Sequence, residues 1–140
     1  MTRFKISTNI NRDANAELDF IVTKNANEVY NRIIHNHSRG QNSFSIIGSY
    51  GTGKSTFLWA LEHHLNGDVK FDSPVNGELK GVRKFDFKRI VGEGTSFKKR
   101  FCIEFGLEPL VNQSNKEVLS EFDLLCRDIN SRNRALVILV

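Results

Sequence analysis

Apolar positions recur along this chain with two spacings, close to 3.6 and close to 2, and the places where one gives way to the other predict its elements. The first two dozen residues are rich in polar positions such as Asn9, Asn11 and Asn15, with an apolar exception at 18–22, so residues 1–24 read as an arm or irregular lead-in. Asn25 followed by Glu28 predicts a helix start, after which Val29, Tyr30, Ile33, Ile34 and His37 share one face until Gly40 stops it. Residues 44–47, F-S-I-I, suit a short buried parallel strand. From Lys54 the helical period returns through Phe57, Leu58, Leu61 and Leu65, and Asn66-Gly67 closes it.

Residues 68–81 carry Pro74 and two glycines and read as a connection or weak hairpin. Over 82–91, Phe85 and Phe87 alternate with Lys84, Asp86 and Lys88, which predicts a half-buried strand. Thr95 or Ser96 caps a helix bearing Phe97, Phe101 and Phe105 at four-residue spacing, ending at Gly106. Ser114 and Glu117 form a capping box ahead of Val118, Leu119, Phe122, Leu125, Cys126 and Ile129. Residues 135–140, A-L-V-I-L-V, predict a final buried strand. This order of elements predicts an α/β fold, a three-layer sandwich with a mainly parallel sheet, spanning 25–140.

Composition narrows the reading. With 140 residues, 39% of them hydrophobic, the chain can bury one core and not two. The longest apolar run, 135–140, is too short to span a bilayer, and the basic N-terminus lacks the apolar stretch of a secretory signal. Cys102 and Cys126 match no C-x-x-C spacing, so a reducing, cytoplasmic location is expected. The net charge of +4 is local in origin: between Lys80 and Phe101 eight basic residues face only Asp86 and Glu93. The stretch from Lys80 to Arg100 suits nucleic-acid phosphates, although a solvated face is the commoner outcome for such clusters.

The chemistry sits between the 44–47 run and the helix from Lys54. Gly48, Ser49, Tyr50, Gly51, Thr52, Gly53, Lys54 and Ser55 read G-x-x-x-x-G-K-S, a complete phosphate-binding loop. Such a loop turns backbone N–H groups inward at a polyphosphate and adds the positive end of the following helix. Here Gly48 is expected to let the chain leave the strand, and Gly51 and Gly53 to let the backbone approach phosphate oxygens. The amides of residues 51–56 form the cradle, Lys54 reaches the β- and γ-phosphates, Ser55 offers its hydroxyl to Mg²⁺, and Thr56 donates to the α-phosphate.

The guanine-reading patterns D-x-x-G and N-K-x-D are both missing, Asn115-Lys116-Glu117-Val118 failing at its last position, so adenine is favoured. The base is expected near the segment before the first helix, against 18–22 or Tyr30, residues that core packing would equally explain.

The string 46–58, I-I-G-S-Y-G-T-G-K-S-T-F-L, resembles the nucleotide loop of AAA-type and related P-loop ATPases, in which a helix precedes the first strand. The resemblance extends over 25–140, with only the loop specific. It implies ATP and Mg²⁺ as cofactors, ATP hydrolysis by the full-length protein, and homo-oligomerisation of that protein. In such families a later buried strand ends in Asp-Glu, the Walker B pair that holds Mg²⁺ through water and polarises the attacking water. Residues 134–140, R-A-L-V-I-L-V, look like that strand without its carboxylates. The resemblance therefore implies the N-terminal portion of a longer ATPase, with its hydrolytic and energy-transducing parts beyond residue 140.

Three other readings stay open. One is a protein that binds nucleotide without turnover; another is a nucleotide-regulated DNA- or protein-binding module using the basic stretch. The third is a small P-loop kinase, for which the chain leaves little room. Glu93 or Thr95 in the turn after the second strand is a candidate for the γ-phosphate side. His35 with His37, and His63 with His64, lack metal-ligand spacing, and no Ser-His-Asp or Cys-His set is visible.

Overall fold

A computed structural model describes residues 9–10, 13–15, 17–67, 69–72, 84–91 and 94–139. The chain divides into two compact units, Met1–Gly81 and Val82–Val140. Both are built from helices, and the second adds a small parallel sheet, an α/β composition.

In the first unit, α1 spans Lys24–His37 and α2 spans Lys54–Asn66. Helix α1 starts one residue ahead of its predicted cap. The Thr23 hydroxyl, not Asn25, accepts from the Ala26 amide at 3.2 Å, because Thr23 holds the extended backbone that aims a cap oxygen at the first free N–H groups. Helix α2 ends at Gly67, whose left-handed φ of 98° lets its amide reach the His63 and His64 carbonyls.

The two helices share a core of Tyr30 and Ile34 from α1, Phe57, Trp59, Ala60 and Leu61 from α2, and Phe71 beyond. Leu18, Phe20 and Val22 pack against that core, while Asp19 and Ile21 between them face out, the period of two expected of a chain lying on an apolar surface. The lead-in thus contributes to the packing of this unit.

Residues 44–47 depart from the prediction. They lie outside any strand, and Ile47 is 93% exposed, whereas Ile46 packs against the core. An apolar run becomes a buried strand only where neighbouring backbone supplies hydrogen bonds on its edges, and no described strand pairs with this one.

In the second unit, β1 (Lys84–Arg89) pairs in parallel with β2 (Arg134–Leu139), with Lys84 opposite Arg134 and Arg89 opposite Leu139. Between them run α3 (Phe97–Glu104), a 3₁₀ turn at Glu108–Leu110 and α4 (Asn115–Ser131), a helical crossover of the kind parallel strands need. Ser96 caps α3. The full Ser114–Glu117 capping box caps α4, with the Glu117 carboxylate accepting from the Ser114 amide at 2.8 Å. The Ser114 hydrogen bonds hold that carboxyl below its ordinary value.

Phe101, Phe105 and Phe122 form a triangle with ring centroids 4.7–5.0 Å apart, beside the fully buried Cys102. The predicted segments 68–81 and 82–91 fall partly outside the described residues.

Candidate functional site

The candidate site is assembled from the N-terminal end of α2 and the turn before it. The first amides of any α-helix have no intrahelical acceptor. Helices α1, α3 and α4 satisfy one of theirs with the side chains of Thr23, Ser96 and Ser114. At α2 the cap position is Gly53, which has no side chain to offer, and the first turn carries no acid. The Phe57 amide is the first to close the ladder, donating to the Gly53 carbonyl at 2.8 Å. The amides of Lys54, Ser55 and Thr56 precede that bond, at the positive end of a helix.

Two glycines set the turn that presents these groups. Gly51 and Gly53 adopt φ of 80° and 82°, a left-handed conformation that L side chains rarely enter. Their role in the structure is conformational, since a β-carbon at either would meet nothing within 4 Å. Gly48 has a different reason. Its backbone is not left-handed, but a β-carbon there would lie 2.8 Å from the Thr52 hydroxyl oxygen.

The side chains of the loop converge on two carbonyls. The Lys54 ammonium donates to the Gly48 oxygen at 2.8 Å and to the Ser49 oxygen at 2.6 Å. The Thr52 hydroxyl donates to the same Ser49 oxygen at 2.8 Å. One carbonyl with two lone pairs therefore serves both donors, and the turn from Gly48 to Lys54 is drawn closed by its own side chains. Residues 47–53 are exposed, Tyr50 at 96%, so solvent and ligands reach the loop. Ser55 and Thr56 are half-buried on the first turn, positions from which a hydroxyl can meet a metal ion or a phosphate oxygen at the helix end.

Other predicted positions lie elsewhere. Tyr30 is a core residue: it stacks on Phe71 with centroids 4.6 Å apart and rings 7° from parallel, and it is 2% exposed, which leaves no open face for a base. Its hydroxyl meets His64 Nε2 at 2.9 Å, and burial pushes it above the ordinary tyrosine value. His64 Nδ1 lies 2.7 Å from the Val69 carbonyl oxygen and 3.4 Å from the Phe71 amide nitrogen, so the ring ties α1 and α2 to the segment beyond them. His63 Nε2 lies 3.1 Å from the Ala14 carbonyl. Among the described residues no group of three or more His, Cys, Asp or Glu side chains could hold a metal ion.

Asp86 and Arg134 form a two-pronged ion pair across the sheet. Hydrogen bonds from Arg134 hold the Asp86 carboxyl below its usual range, and Asp86 in turn raises Arg134. Glu93 lies outside the described residues, and Thr95 is exposed just ahead of the Ser96 cap. The basic stretch is partly committed to its own unit. Lys88 sits 5.9 Å over the Phe105 ring, and Lys98 donates to the Gln113 carbonyl, while Lys84 and Lys99 are exposed.

The sequence names Thr52 and Gly48 as loop positions but not the bond from the Thr52 hydroxyl to the Ser49 carbonyl, nor the room for that hydroxyl at Gly48. A hydroxyl three residues after a carbonyl, in a turn too tight for the helical ladder, is the pattern that signals such a bond.

Comparison with protein-family models, with curated proteins and with solved structures finds no match for this chain. No helix among the described residues is long and apolar enough to cross a membrane.

Proposed function

We propose that Gly48, Ser49, Tyr50, Gly51, Thr52, Gly53, Lys54, Ser55 and Thr56 bind ATP·Mg²⁺, as the nucleotide-binding part of an AAA-like P-loop ATPase whose parallel sheet has the three-layer arrangement. The observation that carries this reading is the coincidence of the full G-x-x-x-x-G-K-S string with an α2 N-terminus whose cap residue, Gly53, has no side chain to cap it. In this reading the amides of residues 51–56 take the phosphate oxygens, and Lys54 exchanges its two carbonyl partners for the β- and γ-phosphates. Ser55 holds Mg²⁺ between those phosphates. No described residue of β2 is acidic, so the proposal covers binding, and hydrolysis and oligomer assembly are assigned to an ATPase with further residues. Nucleic-acid binding through the Lys80–Arg100 stretch has less support, because Lys88 and Lys98 already have partners within their own unit.

The test is calorimetric titration of ATP with Mg²⁺ into the intact protein and into Lys54→Ala. Loss of charge-assisted contacts worth about 1.5–3 kcal/mol predicts affinity at least tenfold weaker for the variant. Equal affinity for the two proteins refutes the assignment.

A further inference from the structure

We infer that Thr52 is a positioning residue of the phosphate loop, acting through the Ser49 carbonyl, and that residue 48 is glycine to seat its hydroxyl. The inference rests on the nucleotide reading of the loop and goes beyond it, since the motif leaves position 52 unspecified.

Three distances interlock. The Thr52 hydroxyl donates to the Ser49 oxygen at 2.8 Å, the Lys54 ammonium donates to that oxygen at 2.6 Å, and a β-carbon on Gly48 would stand 2.8 Å from the hydroxyl oxygen. The Thr52 amide reaches the same carbonyl at only 3.5 Å, too long to hold the turn alone. When Lys54 turns to a phosphate it gives up both carbonyls, and among the described contacts the Thr52 hydroxyl is then the side chain still tying position 52 to position 49. The amides that follow keep their aim because this strap stays in place.

Donors held in position before the ligand arrives lose less freedom on binding, so the strap raises affinity without touching phosphate. Its effect does not depend on which phosphate is bound. Valine matches threonine in shape and lacks the donor; serine keeps the donor. Gly48→Ala leaves the backbone unstrained and displaces the hydroxyl, so it acts through the same bond as Thr52→Val.

The experiment titrates ATP·Mg²⁺ and ADP·Mg²⁺ into the intact protein, Thr52→Val, Thr52→Ser, Gly48→Ala and the Gly48→Ala/Thr52→Val double variant. Loss of one neutral hydrogen bond predicts roughly three- to tenfold weaker binding in Thr52→Val, by the same factor for both nucleotides, with Thr52→Ser within about twofold of the intact protein. The double variant is expected to bind no worse than the weaker single one, the signature of a shared interaction. Unaltered affinity in Thr52→Val, failure of serine to restore it, or additive losses in the double variant overturns the inference. Absence of nucleotide binding by the intact protein refutes the nucleotide reading itself, and the inference with it.

Discussion

The loop at 48–56 and the unit at 84–139 hold their backbones by opposite means. In the second unit, helix ends are closed by side chains, Ser96 for α3 and the Ser114–Glu117 box for α4, and three phenylalanines fill the space between them. In the loop, α2 begins with no side-chain cap, and the turn before it is tied by Lys54 and Thr52 to carbonyl oxygens. One region closes its helix starts with side-chain oxygens; the other starts a helix at Gly53, which has no side chain, behind an exposed turn. The proposed phosphate ligand belongs to the second arrangement, where the helix start has no side-chain oxygen to compete with it.

Substitutions that should separate folding from binding break or sharpen this contrast. The largest expected effect is on folding of the second unit. Phe105→Ala removes a ring that is 6% exposed and meets Phe101 and Phe122, at a cost of about 3–5 kcal/mol in denaturant unfolding. Next comes the loop. Gly53→Ala places a β-carbon on a residue with φ of 82°, costing roughly 1–2 kcal/mol of local strain and weakening nucleotide binding in the same titration.

Ser114→Ala opens the α4 cap and is expected to cost about 1 kcal/mol, read from the unfolding midpoint, because a free helix amide then loses its acceptor.

The smallest effect is a pH dependence. Arg134 holds the folded-state value of Asp86 below that of an unfolded aspartate, about 3.9. The pair therefore stabilises fully above the unfolded value, and its contribution is lost as pH falls through the depressed folded value. Asp86→Asn should lower the thermal midpoint at pH 7, with the gap from the unaltered protein closing on acidification below that value. An unchanging gap down to the most acid pH at which the protein still folds contradicts the assignment.

Local signals carried most of what could be read before the structure. The Ser114–Glu117 spacing, Gly67 closing α2, and the strand at 84–89 each depend on residues within one turn or strand, and each is found in the structure, although burial along 84–89 does not alternate. Non-local facts were not legible. Whether 44–47 forms a buried strand depends on backbone far away in the chain, and Ile47 proves exposed. Tyr30 offered an aromatic face to a base until Phe71 and His64, both distant in sequence, were found to cover it. In the loop the motif suggested a strand exit at Gly48 and room for phosphate at Gly51 and Gly53, whereas the structure shows room for the Thr52 hydroxyl at Gly48 and left-handed backbone at Gly51 and Gly53.

The most direct test of the central claim maps amide chemical shifts of the isotopically labelled protein while ATP·Mg²⁺ is added. The proposed site predicts that the largest shifts fall on Gly51, Gly53, Lys54, Ser55 and Thr56, and that Lys54→Ala abolishes them at the same nucleotide concentration. Shifts centred on residues 84–100, or shifts at the loop that survive Lys54→Ala unchanged, would contradict it.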